Sequence, residues 1–252
     1  MTINYRALLS TTSHKSKLAG GFGYLNGIHY LAPANVGGAG NLCPDASPAC
    51  QSICLGEHAG MVAVYSSVLL SRINKARAFM RDRKAYLAQL RKALALLVRD
   101  ADRKGLKPVA RLNGSSDINW FALHDGNRIP LVREFPNLQF VEYTKSVQRM
   151  LQYCQGKLPS NVHLTFSFSG ENWASCKKVL AAGGNVAICF GGDMPAEYQG
   201  YETVDGDLSD LRHLDPDHRN SGNGIIVALK PKGSAAKKDK SGFVVWPNAI
   251  AA

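Results

Sequence analysis

Three of the six cysteines in this chain stand within twelve residues, in the run Cys43-Pro44-Asp45-Ala46-Ser47-Pro48-Ala49-Cys50-Gln51-Ser52-Ile53-Cys54. Thiolates are soft ligands that select zinc, copper(I) or iron–sulfur clusters. A structural zinc takes four protein ligands, and His58 is the nearby candidate for the fourth. Three thiols without a fourth partner suit an iron–sulfur cluster that keeps one iron open. Zinc and iron–sulfur both fit the run, and the ligand count favours iron–sulfur. The other cysteines are scattered. Cys189 lies in an apolar run and reads as a small core residue, while Cys154 and Cys176 fall on helical stretches.

A second chemical feature is the small polar loop Asn113-Gly114-Ser115-Ser116-Asp117. Its backbone can approach a ligand closely, and Asp117 can receive an ammonium or a hydroxyl. The same residues also describe an ordinary turn with Asp117 capping a short helix. Further polar groups follow later apolar runs: Glu142-Tyr143-Thr144-Lys145-Ser146, then 167–172, then Asp205-Gly206-Asp207, then Lys230. Among them Lys145, Ser167 and Asp205 are the substrate-handling candidates. Zinc-deaminase chemistry is disfavoured, because His-x-Glu followed by Pro-Cys-x-x-Cys is absent. No local signature pairs a cysteine with His124 or His163 as a nucleophile.

The elements that must position these groups alternate. Strands are expected at 27–31, 109–112, 138–143, 162–168, 185–190 and 224–229, with a weaker one at 201–204. Helical spacing begins near His58, and a second long helix runs from an N-cap at Asp82 to Lys104, stopped by Gly105. Shorter helical stretches occupy 129–135, 147–153 and 173–182. Strands separated by helices indicate βα units and a parallel sheet. The expected fold is α/β: a partial or complete (βα) barrel of about six to seven mostly parallel strands, or a doubly wound sheet. A barrel would gather the polar strand ends on one face. The expected organisation is a single barrel-like domain over 1–233, carrying the cysteine loop near its start, and a basic, mobile tail over 234–252.

The chain has 252 residues with 30 Lys and Arg against 19 Asp and Glu, a formal charge of +11. That length buries a core without help from disulfides or metals. The hydrophobic fraction of 45% excludes a disordered or collagen-like chain. No apolar run approaches the roughly 20 residues of a membrane span, and the first residues lack the apolar segment of a secretory signal. The expected setting is cytoplasmic, with thiols reduced. The charge excess points to an acidic partner, nucleic acid included.

The runs 42–55 and 111–118, with Tyr143-Thr144-Lys145, Leu164-Thr165-Phe166-Ser167 and Asp205-Gly206-Asp207, resemble the bacteriophage gene product 88 domain family. They span about 8–233, and the resemblance implies a phage or mobile element in a bacterial host. More remotely, the layout is similar to the radical S-adenosylmethionine superfamily. That likeness implies a 4Fe-4S cluster on Cys43, Cys50 and Cys54, and S-adenosylmethionine held by Asn113, Gly114, Ser115 and Asp117. It departs from the superfamily in cysteine spacing, in Ile53 where an aromatic is usual, and in lacking a paired glycine. Two functions follow as expectations. One is a radical enzyme whose substrate contacts Lys145, Ser167 and Asp205. The other is a nucleic-acid-binding protein with a structural metal, zinc or iron–sulfur.

Overall fold

The computed structural model describes residues 4–126 and 129–247. Several of its longer strands form where β-branched and aromatic residues concentrate, as at 139–144 and 162–167. In chain order the strands are β1 (Leu9–Ser10), β2 (Tyr24–His29), β3 (Lys107–Arg111), β4 (Gln139–Thr144) and β5 (Val162–Ser167). Then come β6 (Val186–Phe190), β7 (Glu197–Tyr198), β8 (Tyr201–Asp205), β9 (Ile226–Leu229) and β10 (Val244–Val245). The helices are α1 (His14–Gly21), α2 (Pro48–Ser52), α3 (Leu55–His58), α4 (Met61–Val64), α5 (Ser66–Arg81), α6 (Arg83–Arg103), α7 (Val147–Cys154) and α8 (Trp173–Ala181).

The ten strands join one mixed, mostly parallel sheet in the order β1-β2-β3-β4-β5-β6-β9-β8-β7, with β10 beside β6. From β2 through β6 to β9 every pairing is parallel and follows chain order. The path ends at β1 and β7, so the sheet is open and the complete barrel is not formed. Its edges are occupied by short antiparallel pairings, β1 on β2 and β7 on β8. Three of the ten strands have two residues each, too few to carry a hydrophobic period, which is why six or seven were expected.

Alternation along the strands separates two faces. One packs Leu112, Phe140, Leu164, Phe166 and Ile188 into a single core with Phe79 of α5, Leu90 and Leu94 of α6, Met150 of α7 and Val179 of α8. On the other face Val109 and Val141 meet Ala19 of α1 and Leu211 in a separate small cluster. Helix α6 forms as its sequence requires. The Asp82 carboxylate accepts the Ala85 N–H at 2.9 Å, Tyr86, Leu90, Leu94 and Leu97 make one buried stripe, and Gly105 turns the chain at φ +64°.

Two local expectations change. The stretch 129–135 forms a short 3-10 helix, Leu131–Glu134, not an α-helix. Residues 14–21, where no element is expected, form α1, because Ser13 caps it by accepting the Ser16 N–H at 3.1 Å. Beyond Gly233 the basic segment lies against the sheet: Ala236 and Val244 are buried, and Val244 pairs with Cys189. Residues 248–252 of the expected tail lie outside the described residues. Among the described residues no helix is long and apolar enough to cross a membrane.

Candidate functional site

The loop after β2 is built to hold its cysteines. Ser47 caps α2 by accepting the Cys50 N–H at 3.1 Å, and its hydroxyl donates to the Ser169 carbonyl at 2.7 Å. The Cys54 Sγ accepts the Gly56 N–H at 3.3 Å, and the Cys43 Sγ accepts the Ala34 N–H at 3.3 Å. Gly56 lies so close to the neighbouring loop that a Cβ there would sit 2.7 Å from the Ser115 Cβ.

These thiols line a cavity of about 240 Å³ at the C-terminal ends of the parallel strands. A single water needs only about 10–15 Å³ of such space, so the cavity accommodates a small molecule. The same wall carries residues 113–117, Lys145 and Ser167, so the strand ends do gather on one side. Cys189, expected in the core, also faces this cavity. Asp205 does not: it is exposed, and its carboxylate caps the Asp207 N–H at 2.8 Å. Asp207 is the acid that reaches the rim, accepting the Lys230 N–H at 2.9 Å and the Lys232 ammonium at 2.7 Å.

The polar loop is committed internally. The Asn113 amide oxygen accepts from the Ser116 hydroxyl, the Ile118 N–H and the Trp120 indole, each at 2.9 Å. Ser115 donates to the Leu31 carbonyl at 2.6 Å. Gly114 donates its N–H to the His29 carbonyl at 2.9 Å, and a Cβ at this position would come within 2.6 Å of that oxygen. Asp117 is neither a helix cap nor a free acid. Its carboxylate pairs with the Arg149 guanidinium at 2.6 Å and accepts the Lys145 N–H at 2.8 Å. What the loop presents to the cavity is therefore a fixed backbone more than a set of free side chains.

Electrostatics centre on Lys145. Burial acts to discharge its ammonium, but Cys50 beside it, Asp117 and Cys43 outweigh burial and raise its pKa. Burial pushes the Cys43 thiol up to about 11 and raises that of Cys54. Cys54 adds to the rise at Cys43, and Cys50 adds to the rise at Cys54. Among the described residues no three His, Cys, Asp or Glu side chains are placed to hold one metal ion together.

Lys15 and Asp210 escaped sequence reasoning, Arg111 entered only through the family resemblance, and Glu142 and Tyr143 were noted only as polar strand-end groups. Buried Glu142 accepts the N–H groups of Leu112 and Asn113 at 2.5 and 2.8 Å. Burial raises its carboxyl to about 8, against those two bonds and Arg111. Arg111, Tyr143 and Lys15 line the cavity, and Asp210 stands behind them. A period of two along β3 puts Arg111 on the same face as Val109, a signal that was present; Lys15 had none.

No curated protein and no solved structure matches the chain. A family model described as Gene product 88 matches residues 3–246. The resemblance seen in the cysteine run, the 111–118 loop and the later strand ends is thus carried by nearly the whole sequence, and the chain belongs to the gene product 88 family.

Proposed function

We propose that this chain is an iron–sulfur enzyme of the radical S-adenosylmethionine type, with Cys43, Cys50 and Cys54 holding a 4Fe-4S cluster. The observation that carries this reading is positional. All three thiols come from the loop after the first of six consecutive parallel strands, and all three line the cavity at the strands' C-terminal ends. Helices α5 to α8 pack on one face of those strands, as they would around a partial barrel.

The donor set is three thiolates lining one cavity, and thiolates are the ligands an iron–sulfur cluster takes. A multi-iron cluster spreads its thiolates around a larger body, and three ligands leave one iron open. Bound there, the cluster would supply one electron for cleavage of S-adenosylmethionine. The chain's own part is to keep a cation, Lys145, beside the thiolates. It also fixes the 113–117 backbone against the cavity through Glu142 and Asp117, and offers Ser167 as a polar wall group. The family supports a phage or mobile-element setting, which we assign to the cytoplasm of a bacterial host.

A second reading, a nucleic-acid-binding protein with a structural Cys-ligated metal, zinc or iron–sulfur, is favoured by the cavity's five cationic side chains against one carboxylate. Salt-dependent binding of oligonucleotide by a chain that does not cleave S-adenosylmethionine would select it.

The test is anaerobic iron, sulfide and zinc analysis of wild type against Cys43→Ala, Cys50→Ala and Cys54→Ala. The expected wild type is brown and holds iron and sulfide, which each variant loses. A colourless chain with stoichiometric zinc, or full iron in any single variant, overturns the reading.

A further inference from the structure

One wall of the cavity has no task in cluster binding. It consists of Lys15 from α1, Arg111 at the end of β3, Tyr143 on β4, and Lys230 and Lys232 after β9. Lys15 and Arg111 share a single carboxylate: the Asp210 oxygens lie 2.6 Å from the Lys15 ammonium and 3.0 Å from the Arg111 guanidinium. Asp210, 2% exposed, stays ionised, because these two cations outweigh the cost of its burial. Two positive charges against one negative leave an excess. Lys232 is answered by Asp207 at 2.7 Å. Lys230 gives that aspartate only its backbone N–H, so its ammonium adds to the excess.

A second observation is independent of charge. The Tyr143 hydroxyl and the Arg111 Nε are both buried without a hydrogen-bond partner among the described residues. A buried polar group left unpaired is costly, so two on one wall call for an occupant. The Arg111 guanidinium packs over the Tyr143 ring, 4.6 Å from its centroid, which holds both groups in place. Burial pushes the Tyr143 phenol up to about 12, keeping it a donor. Water would satisfy the phenol but would not answer the charge. A tetrahedral oxyanion does both, accepting from guanidinium, ammonium and phenol together.

We propose that Arg111, Tyr143 and Lys15, with Lys230 at the rim, form a binding site for a phosphate monoester group of the substrate. The assignment rests on the cavity being the substrate chamber of the proposed enzyme, and it does not require the cluster to be present. The phosphate belongs either to a mononucleotide-like small molecule or to a nucleic-acid end, and the chemistry of capture is the same.

The test is calorimetric titration of the full chain with inorganic phosphate, adenosine monophosphate, adenosine, and an oligonucleotide with and without a terminal phosphate. Tyr143→Phe is the informative variant, because the hydroxyl it removes has no hydrogen-bond partner among the described residues, so the urea midpoint should not fall. The expected result is binding of the phosphorylated probes and not of adenosine, weakened about tenfold or more by Tyr143→Phe. A preference between the two phosphorylated probes identifies the source. Equal binding of adenosine and its monophosphate overturns the proposal, as does Tyr143→Phe binding as tightly as wild type. Repeating the titration on Cys43→Ala separates the two readings. Phosphate binding in a chain that never holds iron removes the cluster alone, and iron without phosphate selectivity removes the phosphate site alone.

Discussion

The Glu142 carboxylate of β4 receives the backbone N–H of Asn113 at 2.8 Å, and through its other oxygen that of Leu112. One strand thus clamps the loop leaving its neighbour, and that loop forms part of the cavity wall. Above about pH 8, where Glu142 is ionised, replacing it by Gln turns one of the two acceptors into a donor facing an N–H. The expected cost is about 1–3 kcal/mol in urea unfolding, with faster hydrogen exchange at Leu112 and Asn113. Unchanged exchange at both amides would show that the clamp does not hold the loop.

Gly114 is required by space. A Cβ would lie 2.6 Å from the His29 carbonyl oxygen and 2.6 Å from the Tyr30 ring. The oxygen is backbone and already accepts the Gly114 N–H, so neither side yields cheaply. Gly114→Ala is expected to lower stability by about 1–3 kcal/mol, read as a drop in melting temperature. A variant that melts with wild type would mean the loop can move away from β2.

The Asp117–Arg149 pair, with side chains 10% and 9% exposed, joins the polar loop to α7 at 2.6 Å. Asp117→Asn leaves a buried guanidinium without its counter-charge, at an expected cost of about 3–5 kcal/mol. Adding Arg149→Met removes the stranded charge, so the double variant should be less destabilised than the sum of the two single ones. A double-mutant cycle measures this, and simple additivity would contradict the pairing.

Two histidines make stability depend on pH. Burial first of all pushes both His29 and His163 down to about 3. Lys75 adds to the effect at His29, and His213 and Arg219 add to it at His163. In the folded chain both remain neutral where an unfolded histidine binds a proton, below about pH 6.5. Their contribution is complete above that pH. It is lost as the pH falls toward 3, by up to about 1.4 kcal/mol per pH unit for each ring. His29 bridges the Leu112 carbonyl and the Tyr86 hydroxyl, and His29→Gln can donate to one and accept from the other. Urea midpoints from about pH 7.5 to about pH 5 should fall less steeply in that variant.

Much of the site was legible because its signals are local. The thiols follow a strand and precede a helix within one stretch of chain, and the 113–117 loop announces itself through turn-forming residues. Lys145 and Ser167 were legible as strand ends. Asp205 lies away from the cavity although its strand was recognised, because it ends β8 and its carboxylate caps the turn that follows by accepting the Asp207 N–H. Asp207, two residues on, reaches the rim instead. Asp117 looked free because Arg149, which occupies it, is 32 residues away.

The sequence by itself determined the alternation of strands and helices and put three thiols after the first parallel strand, since hydrophobic period and residue spacing are properties of short stretches. Only the tertiary structure decided that the sheet stays open, that α1 brings Lys15 beside Arg111, and that one carboxylate, Asp210, serves them both. Those outcomes depend on pairings between residues about 100–200 positions apart. Charge balance in a buried wall exists only once the chain has closed such distances.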